Sequence, residues 1–145
     1  MRLPAVGAVH DQVLAVLVAE MGCPVHDDQA ALVDATRPYV VVEWPSGGGQ
    51  AGSAVQASAS WDVPCRTRSV AVDPDAAAGP AAATRQAAQW AADAARAALL
   101  DVAVDISGDG WRVTGRTYVT GSGQIRDGDA VVIVDDYMLT VTADA

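Results

Sequence analysis

Lysine is missing from this chain: all nine basic residues are arginine, set against eighteen Asp and Glu, and the formal net charge is -9. Proteins that hold a phosphate backbone do so with clustered positive charge. The balance here argues against phosphate-backbone binding and suits a soluble surface that repels nucleic acid. Phenylalanine is missing too. Half of the chain is apolar, but much of that is alanine, which buries little area per residue. The large core pieces are four Trp, three Tyr and the Val, Leu and Ile runs. Cysteine occurs twice, at Cys23 and Cys65, below the four or more of a small disulfide-built domain, so both are expected to be free thiols. No apolar run approaches the roughly 20 residues that span a bilayer. No basic stretch followed by an apolar one opens the chain as a secretory signal would. The expectation is a soluble protein, cytosolic when made, with no membrane partner. Its 145 residues suit one domain.

What is present alternates between two periodicities. Val6, Val9, Val13, Leu14, Leu17 and Val18 recur at helical spacing, so residues 5–21 are expected to form an amphipathic helix. Pro4 suits its start, and Gly22 with Pro24 its stop. His10, Asp11 and Glu20 are expected to face solvent. Residues 24–37 are ambiguous between helical turns capped at Asp27 or Asp28 and a short extended segment beginning at Pro24-Val25. Tyr39 to Trp44 is β-branched and aromatic between two prolines, a strand. Ser46 to Ser60 is rich in Gly, Ala, Ser and Gln and is expected to be a mobile loop. Trp61 to Val72 is a strand with Val63, Cys65, Thr67, Ser69 and Ala71 on one face and Arg66, Arg68, Val70 and Val72 on the other. Asp73 to Pro80 is a linker. Residues 81–100 form an alanine-rich helix, with Ala83, Ala87, Trp90, Ala91, Ala94 and Ala98 expected on the buried side and Trp90 as its anchor. Arg85, Gln89, Asp93 and Arg96 line another side. Val102–Ile106 and Trp111–Thr120 are expected to pair as a hairpin around the Asp109-Gly110 turn. Residues 121–128 are expected to be a second loop, and Ala130–Thr142 the last strand. This order predicts an α+β domain: a mainly antiparallel sheet packed by two helices.

Chemistry is sparse. Ser46-Gly47-Gly48-Gly49-Gln50 follows a strand, but a phosphate loop needs a lysine at the start of a following helix. Gly121-Ser122-Gly123 lacks the third glycine of a dinucleotide fingerprint. The two histidines, His10 and His26, lie near no nucleophile motif and are expected at the surface. His26-Asp27-Asp28 are sequence neighbours, which rarely converge on one metal ion. Asp127-Gly128-Asp129 lacks the later ligands of a calcium loop and suits a tight turn. Asp135 and Asp136 face opposite sides of a strand, unlike paired catalytic carboxylates. One of the two is expected to face solvent and the other an interface or an arginine. Arg66 and Arg68 make a small basic patch that pairing with local carboxylates would absorb. No catalytic residue, cofactor or metal site is expected.

Four segments in order carry a resemblance: Pro38 to Pro45 with the Gly-rich loop after it; Arg66-Thr67-Arg68-Ser69-Val70-Ala71-Val72; the helix Thr84 to Leu100 with Arg85, Gln86, Trp90, Asp93 and Arg96; and the strand through Asp136-Tyr137-Met138-Leu139. The set resembles the tail terminator proteins of long-tailed actinobacterial bacteriophages. The resemblance implies a homohexameric ring in the virion neck, assembled in the host cytoplasm. Such a ring caps the tail tube made by the major tail tube protein and stops its polymerisation. It also docks the head-to-tail connector or stopper, and genomic DNA passes through it without specific binding. Related neck proteins, and a small non-viral protein-binding module, are the alternatives. Composition places the expected interface in the two loops and on the basic patch: Gly47, Gly48, Gly49, Gln50 and Ser53; Arg66 and Arg68; Gly121, Ser122, Gly123 and Arg126.

Overall fold

A computed structural model describes residues 6–27, 38–45, 60–73 and 81–144. The described elements are α1 (Val6–Glu20), β1 (Val25–Asp27), β2 (Tyr39–Glu43), β3 (Ser60–Val72), α2 (Ala82–Leu100), β4 (Ser107–Gly108), β5 (Trp111–Asp127) and β6 (Ala130–Ala143). The strands form one six-stranded sheet in the order β1-β2-β3-β6-β5-β4. Every pairing is antiparallel except β1 with β2. The α+β class read from the sequence is the one observed.

Strand parity builds the core. Register places Val42 beside Thr67 and Thr67 beside Asp135, so the odd positions of β3 and β6 share a face with Val40 and Val42. Val9, Val13 and Leu17 of α1 and Ala91, Ala95 and Leu99 of α2 pack on that face with Val63, Leu139 and Val141. Leu17, Leu99 and Leu139 are fully buried, each worth about 1.5–3 kcal/mol of apolar transfer. A second, smaller cluster joins Ala88 and Ala92 to Ala71, Val131 and Ile133. Two ion pairs lie across the other face, Arg66–Asp136 at 2.7 Å and Arg68–Glu43 at 2.8 Å.

Several expectations are corrected. Helix α2 is rotated from the expected setting: Ala88, Ala91, Ala92, Ala95, Ala98 and Leu99 are buried, whereas Ala83 is exposed and Trp90 is 47% exposed. Side chains no larger than a methyl let the helix axis sit close on the sheet, and an indole in the seam would hold it off. Trp90 instead rests beside the end of α1, where a Cβ on Gly22 would lie 3.4 Å from its ring. Val18 of α1, expected in the core, is 55% exposed.

Val102–Ile106 is not a strand. Asp101 accepts a hydrogen bond from the Ala103 amide at 2.9 Å, and its carbonyl accepts one from the Val104 amide, which winds the chain into a turn. Strand β4 is only Ser107–Gly108, and the hairpin turns at Asp109-Gly110 with Gly110 at φ 81. Residues 121–127, expected as loop, continue β5 as far as Asp127. The ladder to β6 absorbs the extra residues in bulges between Tyr118 and Thr120 and between Gly121 and Gln124. The turn at Asp127-Gly128-Asp129 has Gly128 at φ 62. Of the two readings of residues 24–37, the extended one holds for Val25–Asp27. The rest of that stretch, the loop at 46–59, the linker at 74–80 and the helix start at Pro4 lie outside the described residues.

Candidate functional site: a free strand edge beside a buried polar cluster

Where α2 crosses β6 and β5, four polar side chains meet. Asp135 is fully buried on the helix face of β6. Its Oδ1 accepts hydrogen bonds from Tyr118 Oη at 2.8 Å and from Arg96 Nη2 at 3.1 Å. The Arg96 guanidinium also lies 4.6 Å over the Tyr118 ring, and Tyr137 packs edge-on to Tyr118 with centroids 5.6 Å apart. Thr67, fully buried on β3, lies opposite Asp135 in the ladder. Burial first, and the Asp135 hydrogen bond second, hold the Tyr118 phenol above its ordinary value. Burial and then Asp135 raise Tyr137 likewise. A charge buried without its partner is costly, so this cluster clamps α2 to β5. Gly121 leaves room for these side chains: a Cβ on it would overlap Tyr118 Oη and lie 2.5 Å from Asp135 Oδ1, so the phenol would have to shift.

Arg116, one strand-turn away, closes the C-terminal end of α2. Its guanidinium donates to the carbonyls of Leu99 at 3.4 Å, Asp101 at 2.6 Å, and Val104. The Leu99 carbonyl is one that a helix end leaves unpaired, and the other two belong to the turn that follows, at the end where a cation is favoured by the helix dipole.

Beyond the clamp, β5 becomes an edge. On its inner side it pairs with β6 from Trp111 to Asp127; on its outer side Trp111 and Arg112 pair with β4, and the Val113 amide donates to the Ile106 carbonyl at 2.8 Å. Among the described residues, the outer edge from Val113 to Asp127 carries no strand. Residues 119–129 are all exposed, including the apolar Val119 (55%) and Ile125 (43%). A long exposed edge is a template for another chain. Ser122 repairs the ladder at its bulge, accepting from the Val134 amide at 2.9 Å and donating to the Gly123 carbonyl at 2.7 Å. Gly123 has φ 68, a conformation that favours glycine.

The expected interface residues therefore separate. Gly121, Ser122, Gly123 and Arg126 fall together on the free edge. Arg66 and Arg68 are each held by a carboxylate of a neighbouring strand. Gly47, Gly48, Gly49, Gln50 and Ser53 lie outside the described residues. Asp135 and Asp136 do face opposite sides, but both meet an arginine and neither is left to solvent. The clamp residues Tyr118 and Asp135 were not singled out as a site from the sequence. The available signal was a carboxylate at an inward position of an otherwise apolar alternation.

His10, expected at the surface, is stacked on Trp44 with ring centroids 3.8 Å apart and planes within 9°. His26 meets Tyr39 edge-on at 6.3 Å. Cys23 and Cys65 are free thiols. Cys65 is fully buried. Burial and then the Asp136 charge push its thiol up to about 12, the opposite of an activated nucleophile. Among the described residues no group of three or more His, Cys, Asp or Glu could hold a metal ion, and no helix is long and apolar enough to cross a membrane.

No family model matches the sequence, and no curated protein matches it. Several solved structures are similar; one of them matches at 15% sequence identity with a TM-score of 0.53, covering 94% of this chain and 96% of that one. At that identity the likeness concerns the fold: this chain shares its α+β architecture with a protein of very different sequence.

Proposed function

We propose that this protein is a structural component of a bacteriophage virion, a tail terminator that closes into a ring at the head-proximal end of the tail tube. In this reading it halts tube polymerisation and presents a docking face to the head-to-tail connector. It acts through surfaces, with no catalytic group, cofactor or metal. The observation that carries the reading is the free edge of β5, which holds four of the residues assigned to the interface from composition. A net charge of -9 per copy supports it, because a duct lined by such subunits repels passing DNA instead of retaining it. The ordered resemblance of Pro38–Pro45, Arg66–Val72, Thr84–Leu100 and Asp136–Leu139 to tail terminators supports the position in the neck. Another neck protein is the alternative within the same class.

The test is direct. Purified protein is added to polymerising major tail tube subunits of the cognate phage, and tube ends are imaged by electron microscopy. Capped ends and arrested elongation are expected. Tubes that grow unchanged at saturating protein, or density maps that place the chain away from the junction of tube and connector, would refute the assignment.

A further inference from the structure

Seven arginines lie among the described residues, and six are engaged. Arg66, Arg68, Arg96 and Arg112 pair with Asp136, Glu43, Asp135 and Asp144. Arg116 is bound to backbone carbonyls, and Arg85 has an interaction of its own. Among these seven, the Arg126 side chain alone has no hydrogen bond or ion pair to the described residues. It stands on the exposed end of the β5–β6 hairpin, in a strand with three arginines and one aspartate, within a chain of net charge -9.

A complementary feature lies on α2. Asp93, Arg96, Ala97, Leu100 and Asp101 line an open depression of about 450 Å³. Ala97 and Leu100 supply its apolar lining. Arg96 is already committed to Asp135 and Tyr118, and Arg116 acts on Asp101, so Asp93 is the carboxylate most open to a guest, with Asp101 second. Asp93 accepts one hydrogen bond from Gln89, and Asp101 one from the Ala103 amide. A carboxylate has about four acceptor sites, so both can accept more. A guest with an apolar stem and a flat cationic end satisfies the apolar and the acidic lining together, and arginine is the side chain of that shape.

The geometry points to Arg126 of a second copy of this chain as the occupant of the depression on α2. The contact is heterologous: the hairpin of one copy meets the helix of the next, so each copy both gives and receives. Repetition of such a contact closes a ring when the rotation allows it. The inference deepens the proposed function by naming how copies touch. It rests on that reading only for the closing of the contact into a ring.

The test uses the full chain and two sets of neutralising variants, Arg126→Ala and Asp93→Asn with Asp101→Asn. All three sites are exposed, and unchanged circular dichroism and urea midpoints confirm folding. Light scattering after size exclusion, at protein up to about 1 mM, is expected to show the wild type as a particle larger than the 14.8 kDa chain. Each variant alone is expected to self-associate about tenfold or more weakly. Mixed together they restore one contact, between the intact depression of the first and the intact Arg126 of the second. The product is a one-to-one heterodimer that grows no further. A wild type that stays monomeric, variants that assemble as well as wild type, or a mixture with no heterodimer overturns the proposal. Failure of the two ideas is distinguishable. If copies associate through this contact but tubes are not capped, the contact stands and the terminator reading falls. If Arg126→Ala assembles and caps tubes as wild type does, the contact falls and the reading stands.

Discussion

Replacing Gly121 with alanine probes the clamp that joins α2 to the edge strand. The Gly121 backbone lies outside the left-handed region, so alanine is not strained there. By restricting the unfolded chain it contributes about 0.4–1 kcal/mol in favour of folding. Against this, the new Cβ would overlap Tyr118 Oη and lie 2.5 Å from Asp135 Oδ1. The phenol must leave its 2.8 Å bond to Asp135, and a hydrogen bond to a charged group is worth about 1.5–3 kcal/mol. The balance is a loss of about 1–2 kcal/mol, read as a fall of roughly 0.5–1 M in the urea midpoint at a slope near 2 kcal/mol/M. Tyr118→Phe removes the atom that the methyl strikes. The double variant is therefore expected to be more stable than the sum of the single losses, by about 1 kcal/mol in a double-mutant cycle. Wild-type stability for Gly121→Ala, or strict additivity with Tyr118→Phe, would refute the packing described here.

Further expectations concern the same clamp, the helix end and the buried thiol. Arg96→Met strands the fully buried Asp135, whereas Asp135→Ala leaves an arginine whose side chain is 37% exposed and can turn to water; the first is expected to cost about 3–5 kcal/mol and the second clearly less, measured by urea unfolding. The reverse order would show that Arg96 does not compensate the carboxylate. Arg116→Ala frees carbonyls at the end of α2 and is expected to cost about 1–2 kcal/mol in thermal unfolding, with faster amide exchange at residues 99–104. Stability is also expected to fall as the solution becomes alkaline. The unfolded chain releases the Cys65 proton near 9.0, while the folded chain holds it to about 12, so the raised pKa stabilises fully below 9 and that contribution is lost as pH rises from 9 toward 12. Tyr137, raised in the same direction, adds to the decline at the upper end of that window. Cys65→Ala should delay its onset, and a thiol reagent should modify Cys65 only when the chain unfolds.

Much of this architecture was legible without coordinates. Val9, Val13 and Leu17 repeat with the period of a helix, and Val63, Cys65 and Thr67 alternate with Pro64 and Arg66 as a strand does. Those periods are local, so residues a few places apart define both the element and its inward side. Composition alone establishes the charge and the want of lysine, and the order of the elements establishes the α+β class. Rotation of α2 was a different matter. Alanine occurs on every side of that helix, so the pattern has no single inward direction, and the sheet selects the face that permits the closest approach. The extension of β5 through Gly121, Ser122 and Gly123 was hidden for a similar reason: small polar residues look like a loop until a partner strand supplies their hydrogen bonds. Arg96, Tyr118 and Asp135 stand 17 to 39 residues apart, and no local rule joins them. Only the antiparallel ladder of β5 on β6, with α2 laid across it, brings a buried carboxylate under one arginine while leaving another, Arg126, at an open edge.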